Sequence, residues 1–199
     1  MSYHHLFYSI LMTLLFSAKP LPGNRNLLIK KAESAPVINR KETAEIIPWA
    51  FDRRLSWEDF LGEPQKNTDA VATTSTTLGL AYKLEDGQLV YSITCDFSKV
   101  KSWGSMKTDY ILSHEQGHFD ITEIHARKLY EALQQYEFNR KSYKHDINVI
   151  YQQIVRSKED MQAVYDAESD HSRRRAKQFD WEERITQLLQ DTEPFASYP

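Results

Sequence analysis

The sequence is poor in the residues that build disulfide frameworks, fibrous repeats and flexible linkers. Its 199 residues include one cysteine, Cys95, so no internal disulfide and no site with several thiolate ligands can form. Six glycines and seven prolines exclude a collagen-like or linker-dominated chain. A metal ion bound by this chain must therefore take histidine and carboxylate ligands.

Positive charge is not in excess either. The chain carries 25 Lys and Arg against 28 Asp and Glu, a formal net charge of -3, so no overall basic field attracts nucleic acid. Three consecutive arginines at 173–175 lie among acidic residues, a pattern typical of a solvated helix face with salt bridges. We therefore expect no nucleic-acid partner.

Long apolar runs are confined to the N-terminus. Residues 6–16 are almost entirely apolar, and residues 1–18 contain no charged side chain. The run is shorter than the ~20 residues that span a bilayer, but it fits the hydrophobic region of a secretory signal peptide. We expect a signal peptide at 1–18, a secreted or periplasmic protein, and no stable membrane span after cleavage. An uncleaved anchor or a buried helix is the alternative.

The remaining chain divides into a leader and one domain. Residues 19–47 contain scattered prolines and charges without a sustained apolar period, which predicts an irregular leader or linker. Aromatic and apolar residues then crowd together from Trp49 onward, so we place the folded domain at 48–199.

Within this domain, strand patterns precede helix patterns. Residues 70–84 are rich in Thr, Val and Ala, residues 89–97 alternate strictly, and the intervening Asp86-Gly87 indicates a hairpin. Helical periodicity begins near Asp109 and continues in a second stretch around 147–155 and a third at 161–189. This layout predicts an α+β domain with a small antiparallel sheet followed by long helices.

A histidine pair lies in the first predicted helix. His114 and His118 are four residues apart, so one helical turn of about 5.4 Å brings both imidazoles to the same face, where they can share one zinc ion. Glu115 can hydrogen-bond a water molecule at such an ion and accept its proton as a general base. The pattern predicts a zinc site with one position open for water.

Such a site needs a third protein ligand, and His125 is too distant, about 10.5 Å further along the helix axis than the second histidine. If the third predicted helix includes residues 164–175, Glu168 and His171 share one stripe with apolar residues, whereas Asp166 points elsewhere. Glu168 and His171 are therefore the candidate ligands. Asp166 is a candidate hydrogen-bond partner of a ligand imidazole.

Three motifs resemble a bacterial domain-of-unknown-function family. His-Glu-Gln-Gly-His-Phe-Asp-Ile at 114–121 is followed about fifty residues later by Tyr-Asp-x-Glu-x-x-His at 165–171. Leu-Ser-Trp-Glu-Asp-Phe-Leu-Gly at 55–62 is similar to the family's Leu-Thr/Ser-Trp-x-Asp-Phe-x-Gly pattern. The resemblance covers roughly residues 49–185. The family carries glycine after the distal histidine, where this chain has Ser172.

Members of this family are predicted to be secreted zinc-dependent proteases, so the resemblance implies a zincin-like fold and a Zn²⁺ cofactor. It also favours His171 over Glu168 as third ligand, as does the smaller desolvation cost of a neutral imidazole. We expect an endopeptidase that cleaves peptide or protein substrates with Glu115 as general base. The strand at 89–97 is a candidate edge that aligns an extended peptide. The alternative is a non-catalytic binding or structural module of the cell envelope that retains a zinc site.

Overall fold

The computed structural model describes residues 41–199. The predicted signal peptide at 1–18, and the predicted leader as far as residue 40, lie outside the described residues. Within the described part, no helix has both the length and the apolar character that a membrane span requires.

In residues 41–199, five strands precede three long helices, so the chain is a mixed α/β protein with small antiparallel sheets. The predicted order of strands followed by helices is confirmed. The strands are β1 (Ile46–Pro48), β2 (Ala72–Thr73), β3 (Thr76–Glu85), β4 (Gln88–Ser98) and β5 (Trp103–Gly104). The helices are α1 (Asp109–Gln135), α2 (Tyr143–Ser169) and α3 (Arg175–Asp191). Short 3-10 turns lie at Trp57–Asp59 and Glu193–Phe195.

The predicted hairpin is formed by β3 and β4. Asp86 and Gly87 both have positive φ, 50° and 80°, as a tight two-residue turn requires, and the strands pair antiparallel from Glu85 opposite Gln88 onward. The residues predicted as one strand at 70–84 divide between β2 and β3.

β4 is the central strand of the larger sheet, whose order is β1-β4-β3. β1 pairs antiparallel with β4 and begins just before the predicted domain start at residue 48. β1 pairs only with residues 96–98, so it covers the second side of the strand at 89–97 at its C-terminal end alone. The suggestion that this strand aligns an extended peptide stays a prediction. β2 and β5 form a separate two-stranded sheet.

Helix α1 lies at the centre of the molecule and is buried along most of its length. One side of it packs on the sheet, where Phe119 and Leu129 join a core that includes Phe97 of β4. Another side packs on the C-terminal helices through a smaller cluster of five buried residues, Ile121, Ile124, Tyr165, Trp181 and Ile185. The histidine motif therefore lies on a helix that is packed on two sides, against the sheet and against the C-terminal helices.

A turn separates α2 from α3, and the sequence pattern did not predict it. The helix predicted at 161–189 does not exist as one element, because α2 ends at Ser169 and α3 begins at Arg175. The φ values of Asp170, His171 and Ser172 are 50°, 48° and 70°, which lie in the left-handed region. A right-handed helix cannot continue through residues in this conformation, so α2 ends here. No glycine or proline marks this break in the sequence, so helical periodicity alone extends across it.

Candidate metal centre

The start of α1 is fixed by the Leu-Ser-Trp segment of the sequence. The side chain of Thr108 caps the helix by accepting a hydrogen bond from the Ile111 N–H. The indole of Trp57 donates to the Thr108 carbonyl, and the Leu55 N–H donates to the Gln116 side chain at 2.8 Å. Residues 55–57 therefore hold both the cap and the histidine motif of α1 in place.

The two motif histidines and one aspartate bring three ligand atoms together. Nε2 of His114 lies 3.3 Å from Nε2 of His118. The Asp166 carboxylate oxygen Oδ1 lies 3.2 Å from the first of these nitrogens and 3.1 Å from the second. His114 and His118 come from one face of α1, and Asp166 comes from the facing turn of α2. Together they form a nearly equilateral triangle of metal-ligand atoms.

The size and chemistry of this triangle fit zinc. Bonds of about 2.0–2.2 Å in a tetrahedron separate neighbouring ligand atoms by about 3.3–3.6 Å. The separations of 3.1 to 3.3 Å differ from this range by a few tenths of an ångström. Two imidazoles and one carboxylate leave a fourth position free, which is the ligand count of catalytic zinc sites.

Asp166 and His118 perturb each other electrostatically. Burial raises the pKa of Asp166, but the hydrogen bonds and charges of His114 and His118 outweigh it and hold the pKa well below its usual range. Burial lowers the pKa of His118, but the hydrogen bond and charge of Asp166, with the charge of Glu115, leave it above the ordinary histidine value. The carboxylates of Asp166 and Glu115 therefore favour a positive charge at His118.

Glu115 lies beside the triangle at the wall of a cleft of about 1390 Å³. The residue is largely buried, and its carboxylate has no hydrogen-bond partner among residues 41–199. Its oxygens are thus free to accept a hydrogen bond from a molecule in the cleft. The same cleft is lined by His114, His118 and Asp166.

Asp166 occupies the place that the sequence analysis gave to Glu168 or His171. The stripe of α2 that faces α1 contains Tyr165 and Asp166, so the prediction that Asp166 points elsewhere is wrong. Glu168 turns toward α3, where its carboxylate accepts a hydrogen bond from the Trp181 indole at 2.8 Å.

His171 lies at the rim of the centre, in the left-handed turn after α2. Its side chain is 63% exposed, and its Nδ1 is 3.6 Å from Asp166 Oδ1. It therefore stands next to the aspartate and outside the triangle of ligand atoms. Its predicted role as a ligand stays a prediction.

Tyr165 forms the floor under the two histidines. Its ring is fully buried and stacks on the His114 imidazole with a centroid distance of 4.5 Å, and its hydroxyl donates to the His114 carbonyl at 3.3 Å. In the sequence this residue belongs to the Tyr-Asp motif at 165–171. Tyr165 is the neighbour of Asp166 in this motif. That position is the sequence feature from which its place beside the histidines could have been predicted.

Comparison with protein families agrees with these motifs. Residues 38–172 match the family described as "Bacterial protein of unknown function (DUF922)". The chain belongs to the DUF922 family. The match contains the cap-holding segment, the histidine motif and the Tyr-Asp motif, so the candidate metal centre is part of the DUF922 region. It ends at Ser172, before α3.

No curated protein and no solved structure matches the chain significantly.

Proposed function

We propose that this DUF922 protein is a zinc-dependent hydrolase with a zincin-like site, acting as an endopeptidase. The observation that carries the proposal is the triangle of His114, His118 and Asp166 ligand atoms beside the free carboxylate of Glu115. A purely structural zinc site would be closed by a fourth protein ligand and would not need a base at its side. Among residues 41–199 the metal-ligand cluster has three members and opens into a cleft.

In this proposal the chain's own groups divide the chemistry. His114, His118 and Asp166 hold the ion, which supplies Lewis acidity that lowers the pKa of water toward ~7. Glu115 accepts the proton of the attacking water at its carboxylate and returns it to the leaving amide nitrogen. Tyr165 is buried beneath the histidines and keeps their rings in place.

The shape of the cleft supports an extended peptide as substrate. Residues 68–76, which include β2, form one of its walls. β2 pairs with β5 on one side only, so in this proposal its other side, at the wall of the cleft, aligns the peptide in place of residues 89–97. Lys158, Glu159 and Gln162 of α2 also line the cleft.

The test is peptide cleavage by the wild type and by Glu115→Gln, each loaded with zinc. The substitution keeps the size and shape of the side chain but removes the base, so zinc binding and folding should persist while hydrolysis falls by orders of magnitude. Glu183→Gln is the control for the same substitution, because Glu183 is exposed on α3 and lies outside both the cleft and the metal-ligand cluster. Its activity should equal that of the wild type.

If the wild type cleaves no unstructured protein or peptide from a broad library, the enzyme proposal is wrong. The structural or binding module then accounts better for the zinc site. Equal activity of the wild type and Glu115→Gln would likewise remove Glu115 as the base.

A further inference from the structure

One side chain contacts both the ring and the backbone of His118. Gln162 lies on α2, one turn before Asp166. Its Oε1 is in hydrogen-bond contact with Nδ1 of His118, and its Nε2 donates to the His118 carbonyl at 2.9 Å. The same Nε2 lies 3.3 Å from Oγ1 of Thr122, whose hydroxyl also donates to the His118 carbonyl, at 3.1 Å.

These contacts determine which way the Gln162 amide faces. A backbone carbonyl can only accept hydrogen bonds, so the group next to the His118 carbonyl must be the NH₂ of the amide. The opposite end, facing the His118 ring, is then the amide oxygen, which can only accept. His118 must therefore carry a hydrogen on Nδ1 to complete this contact.

The position of that hydrogen determines whether Nε2, the other ring nitrogen, has a free lone pair. In a neutral imidazole with hydrogen on Nδ1, Nε2 has a free lone pair. This lone pair faces the Asp166 carboxylate oxygen at 3.1 Å. Two lone pairs at that distance repel each other unless a positive charge lies between them, which is either a proton on Nε2 or a bound metal ion.

His114 lacks such a partner. Its Nδ1 is buried without a hydrogen-bond partner among the described residues. Of the two motif histidines, only His118 is fixed through its second nitrogen.

We propose that Gln162 is a positioning residue that holds His118 in the Nδ1–H tautomer and so presents Nε2 to the metal ion. The part that concerns the metal rests on the proposed zinc site, whereas the tautomer assignment stands on the hydrogen bonds alone. Gln162 acts through His118 and has no role in proton transfer.

The tautomer can be measured by ¹⁵N–¹H correlation spectra of the full metal-free protein with labelled histidine, at a pH alkaline enough to keep the ring neutral. The wild type should show hydrogen on Nδ1 of His118. In Gln162→Met, which keeps the length of the side chain but neither accepts nor donates comparable hydrogen bonds, the Nε2–H form should appear. The zinc dissociation constant of this variant should rise about 10–100-fold, as for other partners of ligand imidazoles.

Gln162→Glu serves as the rescue variant, because a carboxylate also accepts from Nδ1–H. It should keep the wild-type tautomer and recover most of the zinc affinity lost in Gln162→Met. Gln153→Met is the control for the same substitution at an exposed position of α2 and should change neither readout.

An Nε2–H tautomer in the wild type would overturn the proposal without any variant, which also covers the case in which Gln162→Met does not fold. An unchanged tautomer in folded Gln162→Met would overturn it as well. If the tautomer shifts as expected but the wild type binds no zinc, the assignment of Gln162 to the His118 tautomer stands and the proposed zinc hydrolase fails.

Discussion

Replacing Gly117 by alanine tests how closely Tyr165 is packed beneath the metal centre. Gly117 lies inside the histidine motif on α1, and a Cβ placed there would come within 2.6 Å of the Tyr165 hydroxyl oxygen and 3.0 Å of two ring carbons. Contacts below 3.0 Å require one group to move. Tyr165 cannot move freely, because it is fully buried and stacks on His114.

Two opposing effects determine how Gly117→Ala changes the free energy of unfolding. Alanine stabilises the interior of a helix by about 1 kcal/mol relative to glycine. Overpacking of a rigid core typically costs about 1–3 kcal/mol. We therefore expect Gly117→Ala to lower the free energy of unfolding by up to about 2 kcal/mol, although the same substitution in an exposed helix would raise it.

The assay is a double-mutant cycle with Tyr165→Phe, measured by denaturant unfolding. Removing the hydroxyl relieves the 2.6 Å contact, so the destabilisation by Gly117→Ala should be smaller in the Tyr165→Phe background by about 0.5 kcal/mol or more. The ring contacts at 3.0 Å remain, so the relief should be partial. Stabilisation by Gly117→Ala in the wild-type background, or no coupling between the two substitutions, would refute this packing.

Two further predictions concern backbone strain and pH. Ser172 has a φ of 70°, where L-residues are strained, so Ser172→Gly should raise the free energy of unfolding by about 0.5–1 kcal/mol and Ser172→Ala should not. Denaturant unfolding compares the two variants, and equal effects would contradict the backbone strain. Burial lowers the pKa of His125 from 6.5 to about 4, so on acidification its unfolded form binds a proton first and stability falls as the pH decreases through this interval. At about pH 4.5 the loss should be about 2–3 kcal/mol smaller in His125→Gln than in the wild type, and parallel pH profiles would show that the histidine is not buried in its neutral form.

Features set by local spacing could be predicted from the sequence. The four-residue separation of His114 and His118 places both on one helix face whatever surrounds the helix. The hairpin followed from Asp86-Gly87 between two strand patterns, because its turn needs residues that tolerate positive φ. These features depend on neighbouring residues only.

The third member of the candidate metal centre, Asp166, could not be predicted in this way. The sequence analysis placed Glu168 and His171 on one stripe with apolar residues, but Val164, an apolar residue of that stripe, is 44% exposed. Opposite the histidine motif, the face of α2 that packs on α1 includes the polar residues Gln162 and Asp166, which bind the motif through hydrogen bonds. Hydrophobic periodicity misses a helix face whose burial is supported by hydrogen bonds.

The position of β4 depended on distant sequence for a related reason. Its alternation fitted an edge strand or a central strand equally well. The partner on its second side, β1, comes from residues 46–48 at the border of the predicted leader. Only the three-dimensional pairing distinguishes the two cases.

Zinc titration monitored by native mass spectrometry of the wild type and four single variants tests the candidate metal centre most directly. We expect one zinc ion per chain in the wild type and loss of high-affinity binding in His114→Ala, His118→Ala and Asp166→Ala. His171→Ala, with its exposed side chain at the rim, is the matched comparison and should retain more zinc affinity than Asp166→Ala. The reverse ranking would establish His171 as the third ligand, as the sequence resemblance implied. One tightly held zinc in all of the variants, or none in the wild type, would contradict the site itself.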